Sequence, residues 1–183
     1  MPRSCVPGSF ATFAAAAFLI ACANPAGTQE SCSTAISDLN EFIACGRRAE
    51  SSREARCASA PDIRLALPVA GPRMVNFGDK TQYGSTSKGV VIDTEPGAIV
   101  QAPLGGVILH AGEWRTYGHL IVLDACTVDV VIAGVRSSMV QAGSTVQSGE
   151  TIARMDDRLG QVLYFEVRAS GKAIDPTPLL QDK

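Results

Sequence analysis

Histidine is almost missing from this chain: His110 and His119 are the only two among 183 residues. With no His-x3-His pair, both read as surface polar residues rather than as ligands of a metal centre. Charge of one sign is missing too. Lys plus Arg number 16 and Asp plus Glu 18, leaving a formal charge of -2. No basic stripe interleaved with aromatics occurs, which sets nucleic acid aside as a partner. Charged residues make up only 19%, against 46% hydrophobic, 17 glycines and 10 prolines. That balance argues against disorder and for a compact, turn-rich protein, with length for one domain and a short appendage.

The longest apolar run, Phe10 to Ile20, falls well short of the ~20 residues needed to cross a bilayer. Behind the positive Arg3 it reads as a secretory signal, so residues 1–22 are expected to be a signal peptide and the mature protein to be exported. Leu19-Ile20-Ala21-Cys22 resembles the lipobox of bacterial lipoproteins, which makes Cys22 a candidate lipid anchor. With Ala23 beside it, that resemblance implies sorting to an outer membrane, facing the periplasm. The alternative is cleavage after Ala23, since Ala21-Cys22-Ala23 fits a small-x-small site and gives a soluble periplasmic protein.

Of six cysteines, Cys5 leaves with the signal and Cys22 is the candidate anchor. Cys32, Cys45, Cys57 and Cys126 remain, an even number suited to disulfides in an oxidising compartment. Their spacing does not fit a zinc site. Residues 23–60 read as a linker followed by a short cysteine-bearing helical segment. Ser31 and Ser33 can cap it, and Ile36, Leu39 and Ile43 recur at helical spacing. Cys45-Gly46 is the expected break, with RRAESSREAR as a solvated second helix. Folding back at that break brings Cys32 to Cys57 and leaves Cys45 for Cys126. One continuous helix would hold Cys32 and Cys57 ~37 Å apart and forbid that bond.

From Leu65 onward the pattern changes. GVVID, AIVQA, GGVILHA, HLIVLDA, VDVVIAGV, ETIARM and VLYFEVRA are β-branched runs between glycine-containing turns. They predict a mainly β, antiparallel domain over residues 61–183.

The order of pieces is specific. LPVAGPRMVNFG, SKGVVI, PGAIVQAPLGGVILHAG, TYGHLIVLD, VQAGSTVQSGETIA and LYFEVRASGKAIDP resemble, in sequence and order, the LytM domain of the M23 peptidoglycan endopeptidases. The resemblance covers about residues 65 to 180 and implies a two-sheet, barrel-sandwich-like fold. Active members of that family hold zinc through an HxGxD-like motif and an HxH motif. Here Ser87 and Val91 fall at the first pair of ligand positions, Val162 and Tyr164 at the HxH histidines, and Gly134 at another catalytic histidine position. None supplies the imidazole or carboxylate that zinc needs, so no catalytic residue, metal or other cofactor is expected. Asp93 shares the strand face of Val91, but one carboxylate does not make a metal site.

The degenerate branch of the family, the EnvC-like and NlpD-like activators of periplasmic amidases, resembles this chain more closely. The resemblance implies an inactive relative whose former catalytic groove binds an N-acetylmuramoyl-L-alanine amidase, in cell-wall remodelling or cell separation. Residue by residue, Lys88, Tyr117, Tyr164 and Arg168 match that groove, while Ile132 and Gly134 stand where the activators have tyrosines. Tyr164 and Arg168 lie four apart on a strand and so share a face, and Tyr and Arg are common interface anchors. A structural reading of the same pair stays open, with Tyr164 as a core tyrosine and Arg168 paired with Glu166 or Asp175. The alternative function is an envelope scaffold that binds peptidoglycan without an amidase client.

Overall fold

The computed structural model describes residues 36, 38–49, 53–58, 63–81 and 84–181. The expected signal segment 1–22 with the candidate anchor Cys22, the expected capping residues Ser31 and Ser33, and Cys32 lie outside the described residues.

Among the described residues, eleven strands follow two α-helices. They are β1 (Arg73–Val75), β2 (Val90–Thr94), β3 (Ile99–Gln101), β4 (Gly106–Glu113), β5 (His119–Asp124), β6 (Asp129–Ala133), β7 (Ser137–Ser138), β8 (Thr145–Val146), β9 (Thr151–Arg154), β10 (Gln161–Ala169) and β11 (Lys172–Ile174). The β-branched runs become these strands because their alternating side chains can bury one face. A large sheet has the order β1-β2-β10-β6-β5-β4-β8, with β11 beside β10, and a small sheet has the order β3-β9-β7. Every strand pair in both sheets is antiparallel. Between the sheets lies the main core, where Ile92, Ile121, Ile132, Leu163 and Phe165 meet Val100, Ile152 and Ala153. The expected mainly β, two-sheet architecture is the one observed.

The outer face of the large sheet carries a second cluster. Helix α1 (Leu39–Ala49) lays Leu39, Phe42 and Ile43, with Ile36 ahead of it, against Trp114, Leu120, Val122, Val131 and Ala133. Asp38 caps it, its Oδ1 accepting from the N–H groups of Asn40 at 2.8 Å and Glu41 at 3.2 Å. That satisfies two of the donors a helix start leaves free.

The helix does not break at Cys45-Gly46, contrary to the sequence expectation, and runs on to Ala49. Gly46 serves close approach instead. A Cβ there would stand 3.3 Å from the Leu109 Cβ of β4, so the missing side chain lets α1 settle on the sheet.

With the break displaced, the disulfide pairing changes. Helix α2 (Arg53–Cys57) reaches the β5–β6 turn, where Cys57 is bonded to Cys126 with a Cα separation of 5.4 Å. The expected pairs Cys32 with Cys57 and Cys45 with Cys126 are therefore corrected, and Cys45 is itself disulfide-bonded. The basic segment does supply a short second helix without a buried residue, but its arginines are paired rather than free in solvent. Arg53 meets Asp124 at 2.8 Å and donates to the Cys126 carbonyl at 2.7 Å; Arg56 meets Asp124 at 2.9 Å. Arg47 pairs with Asp129. Asp124 and Asp129 face each other across β5 and β6, both buried, so their charges require these partners.

Candidate functional site

Register brings the candidate positions together. On β10, Leu163, Phe165 and Val167 enter the main core, so Val162, Tyr164, Glu166 and Arg168 face outward. Tyr164 pairs with Val91 on one side and Ala133 on the other, and Val162 pairs with Asp93. Gly134, just past β6, has a φ of +92°, and a Cβ there would stand 2.5 Å from the Val162 carbonyl oxygen. Histidine at that position would need this backbone to move. Ser87 is buried in the turn that leads into β2, and its hydroxyl donates to the Gly89 carbonyl at 2.8 Å. The Tyr164 ring lies over Gly89, where a Cβ would meet it at 3.0 Å.

This donor set does not fit zinc. Val91 and Val162 are apolar, the Ser87 hydroxyl is engaged with the backbone, and the Tyr164 hydroxyl donates to Glu166 Oε2 at 2.5 Å. Asp93 lies beside Val162, and the Glu166 carboxylate on the same face is engaged by Tyr164 and Arg168. Among the described residues no three His, Cys, Asp or Glu side chains are grouped so as to hold a metal ion.

Both histidines lie elsewhere. His110 was expected at the surface; it is instead buried under α1, with its ring edge-on to Phe42 at 5.0 Å and Nε2 3.2 Å from the Gly112 carbonyl oxygen. Burial holds its pKa below the ordinary imidazole value, against the contribution of the Gly112 bond. His119 opens β5, with Nε2 3.1 Å from Ser138 Oγ and Nδ1 3.7 Å from Glu113 Oε1.

The four candidate groove residues separate into an exposed pair and a fastened pair. Lys88 is exposed. Tyr117 closes the 3₁₀ turn Arg115–Tyr117, is 37% exposed, and has its ring 6.4 Å from that of Tyr164. An aromatic row continues from Tyr117 to Trp114 at 5.5 Å and on to Phe42 at 5.2 Å. Tyr164 is half-buried. Burial, then its bond to Glu166, pushes its phenol well above the usual range, so it remains a donor.

Arg168 is buried and paired with Glu166, which is itself only 1% exposed. Its Nε donates to Asn40 Oδ1 of α1 at 3.1 Å and its Nη2 to the Gly171 carbonyl at 3.0 Å. The structural alternative for Arg168 is thus the one observed with Glu166, whereas Asp175 accepts from the Thr177 N–H. Sequence reasoning missed Glu166 as the hub and Asn40 as its cover. Strand alternation alone could have placed Glu166 between Tyr164 and Arg168 on one face. No local signal ties Asn40 to a residue 128 positions away.

The fold and the histidine-poor outer face define the class. The pattern of peptidase family M23 matches residues 85–176, half of the chain, and the protein belongs to that family. It is 34% identical over 125 residues to the murein hydrolase activator EnvC of Escherichia coli strain K12, a match covering 66% of this chain and 30% of EnvC. It is 34% identical over 121 residues to the lipoprotein NlpD/LppB homolog of Pseudomonas aeruginosa, covering 63% of this chain and 39% of that protein. Among solved structures, Csd3 of Helicobacter pylori shares the fold with a TM-score of 0.59 and 19% identity, over 66% of this chain and 36% of that one. The chain thus spans only 30% and 39% of the length of these two curated relatives.

Proposed function

We propose that this protein is a catalytically inactive M23-domain activator of periplasmic peptidoglycan N-acetylmuramoyl-L-alanine amidases. It acts by binding the enzyme through the groove where a peptidase would hold zinc. One observation carries the reading: residues at the ligand positions, Ser87, Val91, Val162 and Tyr164, cannot coordinate zinc, in a chain 34% identical to a murein hydrolase activator. The division into a signal (1–22), a linker with helical segment (23–60) and a docking domain (61–183) belongs to this proposal. So does the periplasmic location, with Cys22 as a lipid anchor.

Activation follows from differential affinity. A groove that binds the amidase's open state better than its closed state shifts the population toward the open one, and only by the ratio of the two affinities. The test is dye release from labelled sacculi by a purified periplasmic amidase, with and without this protein, beside a Tyr117→Ala variant. Expected are stimulation by the wild type, a weaker response from the variant, and no release by this protein alone. Failure to stimulate any amidase, with retention on sacculi, favours the scaffold; chelator-sensitive release by this protein alone overturns inactivity.

A further inference from the structure

The turn between β5 and β6 gathers charge around one sulfur. Arg56 Nη1 lies 3.1 Å from Cys126 Sγ, and Arg53 donates to the Cys126 carbonyl at 2.7 Å. The Cys126 N–H in turn donates to Asp124 Oδ1 at 2.9 Å. Held by these bonds, Cys126 takes a φ of +71°, in the left-handed region that residues other than glycine rarely adopt. Such backbone outliers persist where the surroundings over-determine them, and they gather at functional sites.

The disulfide is reachable from outside. Cys57 and Cys126 are both partly exposed, and α2 buries none of its side chains. A cleft of about 430 Å³ opens beside Cys126, lined by Arg56, Arg64, Ile63, Leu104 and Thr127 among others. The charged side chains around the sulfur are Arg53, Arg56 and the exposed Arg64, set against Asp124; Asp129, across from Asp124, is paired with Arg47. Arginines outnumber carboxylates here, so the field at Cys126 Sγ favours a thiolate. Cys57 is placed differently. It ends α2, where the last carbonyls of a helix disfavour negative charge.

We propose that the Cys57–Cys126 disulfide is a thiol-exchange site rather than only a staple, with a dithiol as its reactant and Cys126 as the sulfur that leaves. The inference stands apart from the activator reading. An incoming thiolate attacks Cys57 Sγ, a new S–S bond forms there, and the electron pair of the old bond departs on Cys126 Sγ beside Arg56. The second thiol of the reactant, once deprotonated, attacks the reactant's own sulfur in this mixed disulfide. Cys57 is freed as a thiolate and takes a proton from water. The reactant is thereby oxidised by two electrons to its disulfide, and the protein's disulfide is reduced by two. Ion pairs of Arg53 and Arg56 with Asp124 keep α2 on the turn, so the two sulfurs stay neighbours and the step can be reversed.

Glutathione, a monothiol, traps the first step. The folded wild type is exposed to reduced glutathione, alkylated with iodoacetamide and mapped by mass spectrometry. Glutathione is expected on Cys57 and the alkyl group on Cys126, before the disulfide that holds Cys45 opens. Glutathione on Cys126, or earlier opening at Cys45, overturns the proposal. Arg56→Gln is expected to slow the exchange about threefold or more, and Arg56→Lys to restore it. Arg53→Gln is the control, since it also removes a partner of Asp124 but leaves the cation at the sulfur. An equal slowing in Arg53→Gln, or none in Arg56→Gln, overturns the role of Arg56.

A second measurement needs no intact disulfide. In Cys57→Ser, the rate at which iodoacetamide alkylates Cys126 is followed against pH. The midpoint is expected below the free-cysteine value of about 8.5, and higher when Arg56→Gln is added. A midpoint at or above about 8.5 in Cys57→Ser overturns Cys126 as the stabilised thiolate.

Discussion

At the scale of single residues, buried charge decides most. Glu166 is 1% exposed and has its two oxygens engaged by Tyr164 and Arg168. Removing the cation leaves that carboxylate unpaired in a dry site. Arg168→Ala is therefore expected to cost about 3–5 kcal/mol in urea unfolding, and a loss under about 1 kcal/mol would show that the pair does not hold the sheet and α1 together. Asp124 gives a pH signature. Burial alone would raise its carboxyl, but hydrogen bonds from Arg53, the Cys126 N–H and Arg56 hold it below the usual range. A carboxyl depressed in the fold contributes stability that is full above its unfolded value of about 4 and is lost as pH falls through the folded value. Asp129 has the opposite sign. Its burial outweighs Arg47 and raises it, so it takes up a proton first on acidification, at no cost to the fold. The melting temperature is therefore expected to hold from neutral pH down to about 4 and to fall below it, with a flatter acid limb in Asp124→Asn. An unchanged acid limb in that variant would refute the assignment. The shared face of Tyr164, Glu166 and Arg168 was legible from strand alternation. Their cover was not, because Asn40 arrives from another element.

At the scale of elements, α1 owes its stability to the sheet beneath it. An isolated helix of 11 residues is marginal in water, and this one gains a partner face through Leu39, Phe42 and Ile43. Phe42 meets both His110 and Trp114, so Phe42→Ala is expected to destabilise by about 3–5 kcal/mol. Hydrogen exchange should then quicken across α1 before it does in β5 or β6; a uniform change over all three would mean that α1 is no separate unit. Joint replacement of Cys57 and Cys126 by serine opens a loop closed across 69 residues and is expected to cost about 2–5 kcal/mol in chemical unfolding. The strands were legible because β-branched runs and glycine turns act locally. The break in the helical segment was misplaced because glycine reads as a stop in sequence, whereas Gly46 answers a steric demand from Leu109, 63 residues later.

At the scale of the molecule, the two sheets and their covering helix form a scaffold in which Ser87, Val91, Val162 and Tyr164, the positions proposed to match zinc ligands, bring no imidazole or carboxylate. Added zinc is therefore expected to leave the melting temperature unchanged, whereas a zinc-binding fold would gain about 2.7 kcal/mol with the metal at a hundredfold its dissociation constant. A rise that a chelator reverses would reveal a metal site elsewhere. The sequence by itself determined the mainly β class and the M23 kinship, because strand periodicity and motif order are written in neighbouring residues. Only the tertiary structure decided that Cys57 joins Cys126, that three arginines close on Asp124 and Asp129, and that α1 lies across the sheet and takes Arg168 out of solvent. Each depends on which distant segments meet, and that is set by burial summed over the whole chain rather than by any one stretch of it.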